Sequence, residues 1–387
     1  MRRQVGIGVA VLLLLSLATP LNAATPKAGS ACSKSGLTKI ASGKKFTCVK
    51  SGNKLAWNNG VVVKGSKTST TRQPSPVLAD FQPWSTNIDS KMLSDQAQRN
   101  FLIWVKTRTG VSKNHTQLIQ ANPHSNRISI MKKADDLGAQ LFSSYFTQGS
   151  KTVIGASESW TNEQLAISGW IIACRGPAMP DVTYCLDSNN LHGYVVTGDI
   201  TYDPRNPGSD GGALLAHEYF HLVQANLAKI SAGRTKNGDA ESKNAIPVWF
   251  LEGGSEFVGY SVGSLSQNAS YWDGRPRMLS YGPSTEFANK NSIADYEIRT
   301  CCGNSTPTYP YNIGQVAVEY IVASIGFQKM LDIWIDYSST RNFEKSFETI
   351  TGISKETFYQ KFDQMRTSVG LPAISWRLDG LINKKIS

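Results

Sequence analysis

The spacing of apolar and polar residues divides the chain into stretches of different character. Val5 to Ala18 is an unbroken apolar run behind the basic Met1-Arg2-Arg3-Gln4 and ahead of Leu21-Asn22-Ala23. That order predicts a secretory signal over 1–23, cleaved after Ala23 or Ala24, and a run too short for a comfortable membrane span. Between 25 and 63, Lys45-Phe46-Thr47-Cys48-Val49 and Lys54-Leu55-Ala56-Trp57 predict short strands, and Asn59-Gly60 predicts a turn. Residues 64–79 lose the apolar pattern and are rich in Ser, Thr and Pro, which predicts an exposed linker. The remainder, 80–387, predicts one large domain of mixed elements. Residues 91–107 and 133–147 have helical spacing, Lys151 to Gly155 reads as a buried strand, and Thr161 is placed to cap a helix running through Trp170. Tyr194 to Tyr202 reads as a strand that stops at Asp203-Pro204. Residues 211–230 and 246–260 predict apolar helices that begin at Gly211-Gly212 and Pro247. Residues 315–337 predict one long amphipathic helix. Phe343, Phe347 and Ile350 continue a helical face, and Ser354 caps a last helix through Arg366. The fold class expected is α+β.

Charge sharpens the division. The net charge is +11, yet residues 24–79 hold ten Lys or Arg and no acid. With Arg2 and Arg3 also set aside, 28 of the 40 bases face all 29 acids, so residues 80–387 carry about −1. The basicity therefore belongs to the small N-terminal module. It suits an anionic surface, either wall polymer or phospholipid headgroups, and equally a solubilising leader; nucleic acid is not an expected partner of an exported chain. Six cysteines suit an oxidising compartment. Cys32 with Cys48 is the expected local pair, stapling a module too small to bury much. Cys174, Cys185, Cys301 and Cys302 leave their pairing open.

The residues that carry chemistry lie in the apolar helix at 211–230. His217 and His221 are four apart, so both imidazoles share one face and reach one metal ion, with Glu218 beside it. This H-E-x-x-H spacing is that of zinc hydrolases, with the glutamate as general base. A third ligand is expected downstream, and Glu252 and Glu256, one turn apart, are both candidates. His115, His124 and His192 lie in polar or turn-like surroundings and read as surface or loop residues, with His192 the one plausible member of a substrate cleft.

Trp249-Phe250-Leu251-Glu252-Gly253 is similar to the W-L-x-E-G segment of gluzincin metallopeptidases, and Tyr311-Asn312-Ile313-Gly314 resembles their Y-x-x-G segment. The resemblance spans roughly 210–330. It implies a zincin-like catalytic domain: a small mixed sheet lobe with the active-site helix, then a helical C-terminal lobe. It further implies zinc held by His217, His221 and Glu252, Glu218 as general base, and the Tyr311 hydroxyl, with Tyr309 the alternative, donating to the oxyanion. The strand at 194–202 is then expected to be the edge against which an extended peptide pairs. The polar stretch Ser231 to Asn244 lengthens the spacing from His221 to Glu252, and no G-x-M-E-N segment is present, which argues against aminopeptidase action. The expected protein is a secreted, monomeric zinc peptidase, with the cell wall as the expected place of any retention. Two other readings are a non-catalytic wall-binding protein on the same fold and a zinc amidase acting on wall peptide.

Overall fold

The computed structural model describes residues 27–41, 44–62, 81–108, 114–121, 126–168, 177–179, 182–185, 190–198, 211–230, 244–272, 292–297 and 310–369. The chain divides into two compact units, Met1–Gln73 and Pro74–Ser387.

The first unit is a small antiparallel sheet. β2 (Lys44–Ser51) pairs with β1 (Thr38–Ala41), with β3 (Lys54–Trp57) and with the short β4 (Val61–Val62). Gly52, at φ 60, turns β2 into β3 in the left-handed region that glycine adopts without strain. Asn58 Oδ1 accepts from the Thr47 and Gly60 backbone amides, which closes the next turn. Among the described residues of this unit only Phe46, Cys48 and Trp57 are buried, so the Cys32–Cys48 disulfide supplies what so small a core cannot. The described lysines Lys27, Lys34, Lys44, Lys45, Lys50 and Lys54 are all exposed. The side chains of Cys174, Cys185, Cys301 and Cys302 lie outside the described residues.

The second unit is mostly helical around one five-stranded sheet. It opens with α1 (Ser90–Thr107), capped by Asp89, which accepts from the Lys91 and Met92 amides at 2.9 and 3.0 Å. Then follow β5 (His115–Ile119), α2 (Asn126–Phe142), β6 (Ser150–Gly155), α3 (Glu158–Ile167), β7 (Pro177–Met179), β8 (Val182–Cys185) and β9 (Leu191–Val196). The strand order is β5-β6-β9-β8-β7, with β5, β6 and β9 parallel and β8 and β7 antiparallel. Parallel neighbours need a crossover, which α2 supplies between β5 and β6. Alternation then assigns the two faces. Ile154, Tyr194 and Val196 pack with Ile128 and Met131 of α2, while Val153, Leu191 and Val195 pack with Leu165 of α3.

The helices that follow are α4 (Gly212–Ala228), α5 (Val248–Ser266), α6 (Pro310–Ile325), α7 (Phe327–Thr340), α8 (Phe343–Thr351) and α9 (Lys355–Met365). α4 packs on α2 and α5, and α5 on α6. One apolar core joins α1 and α4 through α9, including the fully buried Trp249, Phe250, Tyr320 and Trp334. Among the described residues, no helix is long and apolar enough to cross a membrane.

The mixed α and β class agrees with the expectation, and several details do not. α2 begins at Asn126, seven residues ahead of the predicted start. Ser157, not Thr161, stands at the N-cap of α3, and the Thr161 hydroxyl turns back to the Ser157 carbonyl at 2.9 Å. The long helix predicted over 315–337 is two helices, because Gly326 at φ 90, ψ 157 breaks it. β9 is no edge strand: it pairs with β6 on one side and β8 on the other, so its backbone groups are spent within the sheet and cannot template a peptide.

Candidate metal centre

Two helices build the site. α4 begins at Gly211, whose φ of 89 admits glycine and whose added Cβ would meet Met131 Sδ at 2.9 Å. Nearly every residue of α4 is buried, His217, Glu218 and His221 among them. The Nε2 atoms of His217 and His221 stand 3.1 Å apart, with the rings at 81°. α5 adds Glu252, whose Oε2 lies 3.5 Å from His217 Nε2 and 3.2 Å from His221 Nε2. Donors held about 2.0–2.1 Å from a tetrahedral zinc stand about 3.3 Å from one another. The three atoms therefore fit zinc in type and in spacing. Glu218 places a carboxylate oxygen within 4.8 Å of the ring nitrogens of both histidines.

The far nitrogens of both rings are engaged, which turns the near ones inward. His221 Nδ1 lies 2.9 Å from Gln224 Oε1 and 3.0 Å from Ser255 Oγ. Gln224 donates its own amide to the Leu251 carbonyl at 2.9 Å, so its oxygen is the end that faces the ring. His221 therefore carries its proton on Nδ1 and presents a bare Nε2. His217 Nδ1 faces Glu256 Oε1 at 3.4 Å, so Glu256 sits against the outer nitrogen of that ring and Glu252 at the convergence. Tyr311, half-buried in the first turn of α6, has its ring centroid 6.2 Å from that of His217.

Electrostatics favour a cation here. Burial opposes the charged form of His217, but hydrogen bonds to Glu252 and Glu256, with the nearby charges of Glu256 and Glu218, outweigh it and push its pKa up to about 10. Burial likewise raises Glu252, and the electrostatic pull and hydrogen bonds of the neighbouring His221 and His217 rings outweigh it, holding the carboxyl well below the usual range. Carboxylates that hold a proton this strongly on a neighbouring buried imidazole also favour a metal ion in its place.

Glycines let the elements approach. A Cβ on Gly253 would meet the Gly314 backbone at 2.1 Å, and one on Gly314 would meet the Trp249 carbonyl at 2.3 Å. α5 and α6 thus touch backbone to backbone at the glycine after Glu252 and the glycine three after Tyr311. A Cβ on Gly259 would meet the Ala213 carbonyl at 2.7 Å and His217 Cβ at 3.0 Å, so α4 and α5 are nearly as close.

Sequence reasoning overlooked Gln224 and Ser255, though each lies three residues beyond a candidate ligand on the same helix, the spacing at which side chains meet. It also misplaced two histidines. His115 and His192 are strand residues with side chains 4% and 0% exposed, held by Asp135 and Thr152 rather than standing on the surface or in loops. Short polar strands buried by α2 and α4 look like loops when read alone. Tyr309, His124 and the stretch 231–243 lie outside the described residues.

Burial, partly offset by Asp135, pushes His192 down to about 4, with His115 also lowering and Glu218 raising it. A histidine depressed in the fold contributes stability above its unfolded value near 6.5 that is lost as pH falls towards 4. About 3 kcal/mol is expected to disappear over that window. Urea unfolding at pH 7 and pH 4 checks it: His192→Gln should flatten the difference, and an unchanged slope would contradict the assignment.

Searches against protein-family models, curated proteins and solved structures matched nothing.

Proposed function

We propose that the protein is a zinc-dependent peptidase of the gluzincin type, with a zincin-like catalytic domain. The observation that carries the reading is the convergence of His217 Nε2, His221 Nε2 and Glu252 Oε2 within 3.5 Å of one another. His217, His221 and Glu252 would hold the zinc, which when bound supplies a Lewis acid. Gln224, Ser255 and Glu256 fix the two rings. The Glu218 carboxylate takes the proton of the attacking water and passes it to the leaving amine. The Tyr311 hydroxyl donates to the negative charge that develops on the substrate carbonyl oxygen. Secretion, and retention at the wall by the lysine-bearing module, belong to the same proposal.

The test is zinc content and hydrolysis on one preparation of the mature protein. About one zinc per chain is expected, with cleavage of casein or wall peptide that a chelator stops and zinc restores. Cleavage of wall peptide alone would favour the amidase reading. A chain that cleaves neither would favour the binding protein, and a chain that takes up no zinc would refute the peptidase and the amidase alike.

Zinc and the His217 proton compete for one site. Uptake is therefore expected to release about one proton, and affinity is expected to rise with pH up to about 10, the value at His217. Calorimetry at pH 7 in two buffers of different ionisation heat reads this directly. Equal heats in both buffers would contradict it.

A further inference from the structure

Beneath α4 runs a buried hydrogen-bond chain that the proposed chemistry does not use. Its centre is Asp135 of α2, fully buried. Thr152 of β6 donates to Asp135 Oδ1 at 2.7 Å, His115 Nε2 of β5 meets Oδ2 at 2.9 Å, and Gln117 donates to Oδ2 as well. With its proton committed to Asp135, Thr152 accepts from His192 Nε2 at 2.5 Å. His192 Nδ1 is left to accept from the Tyr194 hydroxyl at 3.0 Å, and that hydroxyl stands 3.5 Å from the Leu215 carbonyl of α4. On the other arm, His115 Nδ1 lies 2.8 Å from Ser150 Oγ, which lies 2.9 Å from the Tyr219 hydroxyl, again on α4. The Tyr219 ring also packs against His115 and His192, with centroids at 5.8 and 5.4 Å. The chain thus reaches the helix of the candidate centre by a hydrogen bond at Tyr219, while the other arm ends at the Tyr194 hydroxyl, whose one proton goes to His192 and which only lies near the Leu215 carbonyl.

We infer that this Asp135-centred chain is a positioning device, holding α4 at Tyr219 and so setting the rotation that aims His217, Glu218 and His221. The inference rests on the zinc reading. Tyr219 lies between Glu218 and His221 on α4, and the three functional residues stand at fixed steps of 100° per residue from it. Apolar packing is non-directional and by itself tolerates a small rotation, whereas hydrogen bonds do not. A turn of about 10° moves a histidine nitrogen by on the order of 1 Å, more than a working site tolerates. Burying a carboxylate is costly unless every lone pair is met, so adhesion alone is better served by an apolar side chain. Asp135 is met by donors from both β5 and β6, and its carboxyl is held below the usual range: burial opposes the anion, and the hydrogen bond and charge of His115 outweigh it.

Asp135→Asn and Tyr219→Phe, in the mature full-length chain, test this. The readouts are the zinc Kd by chelator competition and the visible spectrum of the cobalt(II)-loaded protein, taken well below each variant's Tm. Each variant is expected to weaken zinc binding about tenfold and to shift the cobalt bands. The double variant is expected to be no worse than twofold beyond Asp135→Asn, because both changes break one chain. Wild-type zinc affinity and cobalt bands in the variants, with only the Tm lowered, would overturn the inference while leaving the zinc site standing. If Asp135→Asn does not fold, Tyr219→Phe, which removes a single hydroxyl, decides alone. A wild-type chain that binds neither metal would instead refute the zinc reading itself.

Discussion

Glu218→Gln is expected to lower turnover by about a thousandfold or more while zinc stays bound at one per chain. The amide matches the carboxylate in shape but cannot take a proton from water. It also leaves alone the atoms proposed to hold the metal, which belong to His217, His221 and Glu252. Because Glu218 is buried on an apolar helix, removing its charge is not expected to unfold the protein. His221→Ala is the contrast: it deletes a ligand and frees Gln224 and Ser255, so metal and activity should disappear together. Metal analysis beside single-turnover hydrolysis separates the two. A Glu218→Gln protein that keeps more than a tenth of wild-type turnover, or that loses its zinc, would remove Glu218 from the role of base.

Gly253→Ala is expected to cost about 3 kcal/mol or more and to empty the candidate centre. Its Cβ would sit 2.1 Å from the Gly314 backbone, which no rotamer can relieve, so α5 and α6 must separate. That displaces Glu252, the preceding residue, and Tyr311, three residues before the glycine it strikes. Gly314→Ala should behave alike, its Cβ meeting the Trp249 carbonyl at 2.3 Å. Gly138→Ala is the control. There the Cβ finds Tyr219 at an ordinary 3.6 Å within α2, and alanine's helix preference adds up to about 1 kcal/mol. Urea midpoints for the three variants decide the matter. Equal midpoints for Gly253→Ala and Gly138→Ala would mean that the two helices do not touch at that crossing. The crossing also gives the glycines of the E-G and Y-x-x-G segments a shared physical reason, since each removes a side chain from the same contact.

Much of this protein follows from spacing along the chain. A period of 3.6 residues puts His217 and His221 on one face, and Glu252 and Glu256 on another, wherever those helices lie. Glycine at 211 and proline at 247 mark where the helices begin, and Ser354 caps α9 by accepting from the Thr357 amide as its position predicts. The Cys32–Cys48 pair follows from confinement to a small basic module. All of these are local consequences of chain geometry, charge or propensity.

Other features depend on segments far apart in sequence, and no local pattern contains them. Spacing left Glu252 and Glu256 equal; the α4–α5 approach at Gly259 sends one to the convergence and the other to the outer nitrogen of His217. Residues 315–337 read as one helix because apolar spacing continues through Gly326, and only the backbone at φ 90 turns the chain there. His115 and His192 read as surface residues because their polar neighbours resemble loops. Strand order decides otherwise, by seating both beside Asp135 under α4, where burial is tolerable only because every ring nitrogen finds a partner.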